Sequence, residues 1–490
     1  MNKNLLLIPL LLAVSCSSLT SYNSQVKSAY GPYQAGDVDG AAENAIDLVD
    51  CYEGDAEEML FCLEAGSMLR DAGRFEESIS YLDSAEGFIK IDFDLRATLD
   101  AADIAETVAA YSVSSKALTY KGAISDRVMI NTLKALDYIA LGNIEDAASE
   151  ARRIVSAQEK GVALYAEISG EEEQAAREGL KEHNVSSLNT QSFPGYISDS
   201  NDRSFNEMFP GLRASTSASY DSPFSSLVMG LIGRVSPGSL GQVNGLFAQL
   251  ARDCPQNTVI ADELAAVNAG NSAEGWGYVI FENGVAPRLE SVEIAVPIGF
   301  FQVLFSSNPQ MGDFFNTAFM SLPTITQGLL SSDGLLVDGS DGLHTQTETV
   351  SDISDVMTFE YQQRWDGMLR RELFAFIVKT IAIETAGGAL ESSMQTDNED
   401  QNAVMSFIMS IFKSAASSAL AQADDRSWQS LAKRYEVGRF HLDGQSQITL
   451  SLAGHPETST TIDLPQGKNS VIIQVRSINP QHISAVASGF

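Results

Sequence analysis

The sequence predicts an α+β fold that is mostly α. An N-terminal array of helical repeats comes first, then a mixed helical domain with a β-hairpin, then a small C-terminal antiparallel β-module. Three observations predict it. Residues 126–158, DRVMINTLKALDYIALGNIEDAASEARRIVSAQ, read as two helices broken at Leu141-Gly142-Asn143. Met129, Leu133 and Leu136 share one apolar face before the break; Ile144, Ala147, Ala148 and Ala151 share one after it. The same kind of turn recurs upstream at Gly36 and Gly73, and beyond residue 436 short apolar runs alternate between turn signals.

At 490 residues the chain exceeds what one core usually organises. The composition shifts divide it into a leader over 1–15, helical repeats over 16–188, a linker over 189–222, a mainly helical domain over 223–435 and the β-module over 436–490. Hydrophobic content of 44% places it among folded globular chains. A net charge of −33 with no basic run excludes nucleic acid, whose phosphates demand clustered Lys and Arg. Residues 37–106 carry 20 acidic against 4 basic side chains, so this stretch is either a solvated helical surface or a docking face for a basic partner.

The leader MNKNLLLIPLLLAVSC has Lys3, then an apolar run from Leu5 to Val14 that is too short to span a bilayer as a helix. With Ala13-Val14-Ser15-Cys16 it resembles the bacterial lipoprotein signal. That resemblance implies cleavage before Cys16 and lipidation of Cys16, which then anchors the mature chain. Three acyl chains on one residue exceed what stable anchoring needs. No aspartate follows Cys16, so the expected location is the outer membrane of a bacterial cell envelope, facing the periplasm. The alternative is a plain secretory signal. Cys51, Cys62 and Cys254 are expected to be buried small hydrophobes. Cys51 and Cys62 lie eleven residues apart, too far to bond along one helix, though a turn near Gly54 would bring them together.

In the helical half, QAGDVDGAAENA (34–45), DAGRFEESISYLDSA (71–85) and ALGNIEDAASEARR (140–153) share a register. Each has glycine, an apolar residue two later (Val38, Phe75, Ile144) and a small one three further on (Ala41, Ser78, Ala147). Gly36, Gly73 and Gly142 are spaced by 37 and 69, the second close to twice 34–35. This resembles the tetratricopeptide repeat, a helix–turn–helix unit that stacks into a superhelix with a concave binding face. Gly66 takes the family's small position seven before Gly73, and Leu69, Tyr81, Leu82 and Ala85 take apolar ones. A skipped repeat is expected near 105–110, and a polar helix over 169–183. The array either opens its concave face to partners or packs on its own C-terminal half.

In the second half, residues 222–235 and 246–254 read as helices, the latter stopped by Pro255. Residues 275–299 read as a hairpin turning at Glu282-Asn283-Gly284. The phenylalanine-rich 300–330 reads as a buried helix or core loop. Residues 359–391 and 403–423 read as helices, and strands are expected at 440–442, 448–452, 460–464 and 470–475.

Chemistry is hard to find. Five histidines are scattered without metal spacing, and no nucleophile elbow, phosphate loop or dinucleotide fingerprint occurs. No catalytic, cofactor-binding or metal residue is singled out. Asp338-Gly339-Ser340-Asp341-Gly342 lacks a calcium loop's alternating ligands and reads as a turn. Arg426 and Trp428 in DDRSWQ are the structural candidates: Trp428 to pack the β-module on the preceding helix, Arg426 to pair with Asp424 or Asp425.

The lipobox, KALDYIALGNIEDAASEARR, VIFENGVAPRLESVEI and DDRSWQSL…GRFHLDG together resemble a family of bacterial tetratricopeptide-like lipoproteins of uncharacterised role. The expectation is a lipid-anchored scaffold or adaptor that binds other envelope proteins and is not an enzyme. The alternative is an envelope hydrolase acting on glycan or peptidoglycan through carboxylates of the second half.

Overall fold

The computed structural model describes residues 21–55, 57–96, 120, 122–157, 159, 193, 203–214, 222–241, 243–296, 318–370, 372–373 and 423–490. The leader with Cys16, the skipped repeat near 105–110, the 169–183 helix, residues 297–317 and most of 403–423 lie outside them.

The first layer is helical. Helices α1 (Tyr22–Gln25), α2 (Lys27–Ala35), α3 (Val38–Cys51), α4 (Glu58–Asp71), α5 (Phe75–Arg96) and α6 (Ile124–Ala140) pack pairwise in chain order, and a seventh, α7, begins after Asn143. Glycine ends three of them in the left-handed conformation: Gly36 at φ 87°, Gly73 at 76° and Gly142 at 73°. Each carries the same two hydrogen bonds, from its own N–H and from the next residue's. Gly36 N–H reaches Tyr33 O and Asp37 N–H reaches Pro32 O; Gly73 and Arg74 reach Arg70 and Leu69; Gly142 and Asn143 reach Ile139 and Tyr138. Asp37 and Asn143 then cap the following helices through Gly40 N–H and Asp146 N–H. Gly66 lets α4 and α5 touch, since a Cβ there would fall 2.7 Å from Leu82 Cγ.

A five-stranded sheet forms the middle layer, in the order β11–β10–β1–β7–β6: β11 (Ser484–Gly489), β10 (Ser470–Ser477), β1 (Trp276–Asn283), β7 (Arg434–His441) and β6 (Glu348–Asp352). The β1–β10 pair is parallel and the rest antiparallel. A four-stranded antiparallel sheet covers its far face, in the order β5 (His344–Gln346), β4 (Leu335–Asp338), β8 (Gln447–Leu452), β9 (His455–Asp463). Strands β2 (Leu289–Val296) and β3 (Ala318–Ile325) form a separate antiparallel pair. The α+β fold class therefore holds, with helices leading and, in the C-terminal half, sheets that include antiparallel modules.

Three local readings change. The turn at Gly284 forms, at φ 75°, but no hairpin follows, because β1 pairs with β10 and β7 while β2 leaves to pair with β3. The residues explain it. Strand β1, WGYVIFEN, is buried along nearly its whole length and needs strands on both edges; β2, LESVEIAV, is half exposed and suits a two-stranded ribbon. Secondly, residues 318–325 are a strand, not a helix or loop, with Pro323 tolerated at its edge position. Thirdly, the C-terminal strands do not keep to themselves: β8 and β9 form a hairpin, whereas β7 and β10 flank β1.

Alternation along the central strands divides the core. Tyr278, Ile280 and Ile472 join the cluster shared with the helices, whereas Val279, Phe281, Val471, Ile473 and Val475 join the one between the two sheets. The first cluster runs from Tyr22 to Ile478, so helical array and sheet are stabilised by the same buried apolar surface. Further helices include Pro223–Val235 (α8), Val243–Asp253 (α9) and Thr258–Asn268 (α10), which pack in chain order, α8 also touching α6 and β6.

Candidate functional site

The alternation that places Tyr278 and Ile280 against the helices also places Glu282, Gln474 and Arg476 there. Opposite them, the last turn of α4 carries Arg70 and Asp71, and α6 carries Asp137. All six are buried. Arg70 lies 2.7 Å from Glu282, 3.0 Å from Asp137 and 3.7 Å from Asp71, and donates to Gln474 Oε1 at 2.6 Å. The Arg70–Asp137 contact is one of charge alone: Arg70 Nε and Asp137 Oδ1 meet without hydrogen-bond geometry. Arg476 Nε donates to Asp71 at 3.0 Å, and its other nitrogens reach the carbonyls of Glu282, Gly284 and Ser477 and the Tyr33 hydroxyl. Ser78 donates to Asp137 Oδ2 at 2.7 Å. Two arginines thus bind three carboxylates from helix and sheet.

Burial pushes the Asp137 carboxyl up to about 8, although Arg70 and the Ser78 hydroxyl pull it down. Glu282 is raised by the same burial against the pull of Arg70. Burial works to lower Arg70, but Glu282, Asp137 and Asp71 outweigh it and hold the guanidinium above its ordinary value. Burial thus works against the charged forms of Asp137 and Glu282, and the neighbouring arginines work for them.

The cluster floors a cleft of about 310 Å³ between the α2–α3 and α4–α5 turns on one side and β10–β11 on the other. Its lips are apolar, with Val38 and Phe75 facing Val486, and exposed Asp39 stands at the rim. Val38 and Phe75 are the residues two after the turn glycines. The repeated Gly-x-apolar pattern thus builds one wall of the cleft, and Gly73 itself lines it.

The DDRSWQSL segment packs instead against α4 and the start of α1. Trp428 is fully buried; its Nε1 donates to Ser67 Oγ on α4 at 2.9 Å, which makes α4 its helix partner. Arg426 pairs with Asp424 at 2.8 Å, sits 3.6 Å from Glu57 and stacks on Tyr120. Asp425 accepts instead from the backbone N–H groups of Tyr22 and Asn23 at the start of α1. Glu64 accepts from Gln429 N–H at 2.7 Å, Ser430 N–H at 3.0 Å, the Tyr22 hydroxyl and the Ser430 hydroxyl, and burial raises its carboxyl to about 7. With this segment in place α4 is buried from Met59 to Asp71 on every side.

Sequence reading marked neither Arg70, Asp71 and Asp137 nor Glu282, Gln474 and Arg476. The available signal was a single charge inside an apolar strand: Glu282 in YVIFEN, Arg476 in VIIQVRS. Cys62 is buried as expected, Cys254 is half-buried, and Cys51 is exposed because it ends α3, past the last buried position at Leu48. All three are free thiols, so Cys51 and Cys62 do not bond at Gly54. Asp338–Gly342 forms a turn between β4 and β5, with Asp341 at φ 55°. Among the described residues no group of His, Cys, Asp and Glu could hold a metal, and no helix is long and apolar enough to cross a membrane. Comparison with protein-family models, with curated proteins and with solved structures gives no match.

Proposed function

We propose that this chain is a lipid-anchored scaffold or adaptor of the bacterial cell envelope, held at the outer membrane through Cys16 and binding protein partners at the cleft rather than along the inner face of its tetratricopeptide-like array. The observation that carries the reading is the cleft's build: apolar lips at Val38, Phe75 and Val486 over a floor of Arg70, Asp71, Glu282 and Arg476. The floor's charges are bound to one another, which suits holding a partner rather than attacking a substrate. Residues 428–430 already bond to α4, which supports seating a partner elsewhere. Asp39 at the rim, in the acidic 37–106 stretch, favours a basic partner segment.

The test is crosslinked capture from membranes with a photoreactive side chain at Phe75. A recurring envelope protein, lost when Val38 is changed to Glu, supports the reading; the same recovery from both chains sinks it. Palmitate labelling that survives Cys16→Ala would separately overturn the anchor.

A further inference from the structure

The five-stranded sheet has two edges, and they are treated differently. At the β6 edge, Asn257 Nδ2 donates to Thr349 O at 2.9 Å and Cys254 Sγ lies 3.1 Å from Val350 O, so outward carbonyls are covered. At the β11 edge the pairing parity is fixed by Phe490 and Ser470, which exchange hydrogen bonds at 2.9 and 3.2 Å. Along β11 the residues hydrogen-bonded to β10 are therefore Ser484, Val486 and Ser488. The other side of β10 agrees: Asn469 O and Ser477 O accept from Gly275 and Gly284, toward β1. The N–H and C=O groups of Ala485 and Ala487 consequently point away from the sheet. Among the described residues no hydrogen bond reaches them.

Natural sheets guard such an edge with charge, proline or a bulge. Strand β11, SAVASG, has no charge, proline or bulge, its register with β10 is unbroken, and α6 and β9 pack beside it without bonding to its outer edge. Its sequence is also symmetric: Ser484-Ala485-Val486-Ala487-Ser488 reads the same in both directions about Val486. An isologous two-fold contact sets residue i against j and j against i. Antiparallel pairing about Val486 sets Ala485 against Ala487 of a second copy, and Ala487 against Ala485. These are the residues whose backbone groups face outward.

Charge selects the occupant. Two chains of net −33 repel, yet residues 464–490 contain no Asp or Glu, and the exposed Lys468 adds a positive charge there. The β10–β11 border is thus where a second acidic copy can approach.

We propose that the chain self-associates through β11, two copies pairing antiparallel about a two-fold axis at Val486 and joining their five-stranded sheets into one. Ala485 and Ala487 supply the new hydrogen bonds, and the Val486 side chains meet at the axis, where the two clefts become neighbours.

Sedimentation of the purified full chain is expected to show a dimer whose share rises with salt, because salt screens the repulsion. Ala487→Pro removes an N–H that the β10 ladder does not use, so it abolishes the dimer while the thermal unfolding profile stays near wild type. The register has its own readout. Val486→Cys faces itself across a non-hydrogen-bonded pair, with Cα atoms about 4.5 Å apart, within disulfide reach. It should give covalent dimers on mild oxidation in cells, whereas Ser484→Cys, which faces Ser488, should not. A wild-type chain that stays monomeric at high salt and concentration overturns the proposal and leaves the edge to a different strand. Equal crosslinking by both cysteine variants overturns it too.

Discussion

Arg70 of α4 and Glu282 of β1 lie 2.7 Å apart, both side chains 4% exposed, and this contact binds the helical layer to the sheet. The two residues are separated by more than 200 positions and share no local pattern. Removing one partner leaves the other as a buried uncompensated charge, which costs more than the pair contributes. Arg70→Met is expected to destabilise the chain by about 3–5 kcal/mol. Adding Glu282→Met to it should cost less than the two single changes summed, which a double-mutant cycle in denaturant will measure.

The cluster also sets a pH dependence. Asp137 titrates at about 8 when folded against 3.8 as a free side chain, so the folded state binds the extra proton in between. Its stabilising contribution is complete below the lower value and is lost as pH rises through the upper one. Glu64, raised to about 7, and Asp126, raised by burial to about 6, act in the same direction. Stability should therefore fall between about pH 4 and pH 8 through these groups. Asp137→Asn is expected to flatten the alkaline part of that fall in unfolding curves taken across pH; an unchanged slope would exclude Asp137 as its source.

Glu64 is satisfied by four donors, two of them backbone N–H groups of Gln429 and Ser430. Glu64→Leu leaves those donors buried without an acceptor, and each such group costs about 1–3 kcal/mol. Glu64→Gln keeps one acceptor oxygen and should lose less. Chemical denaturation of the two variants gives the order; a Gln variant weaker than the Leu variant would contradict it.

The α4–α5 crossing rests on the missing side chain of Gly66, whose Cβ would fall 2.7 Å from Leu82 Cγ and Cδ2. Gly66→Val is expected to cost about 1–3 kcal/mol through overpacking, and Leu82→Ala in the same chain to relieve part of it. Thermal unfolding of the single and double variants checks this.

What the sequence determined by itself is local. Gly-x-apolar turns at 36, 73 and 142 end helices because glycine alone adopts positive φ at little cost, and that chemistry lies in three or four adjacent residues. Strands β1, β2 and β7 to β10 were legible at least in part in the same way, from alternation and turn residues, whereas β3 to β6 and β11 were not. Pairing was not. Strand β1 was read as half of a hairpin because Asn283-Gly284 is a turn, whereas its apolar run on both faces demanded two neighbours, which arrive more than 150 residues later. Val38 and Phe75 were legible as repeat positions, though not as a cleft wall, and nothing local marked Arg70, Asp71, Glu282 and Arg476 as its buried floor. Only the tertiary structure decides that they are buried together, because the Coulomb attraction that holds them grows strong once water is excluded from between the layers.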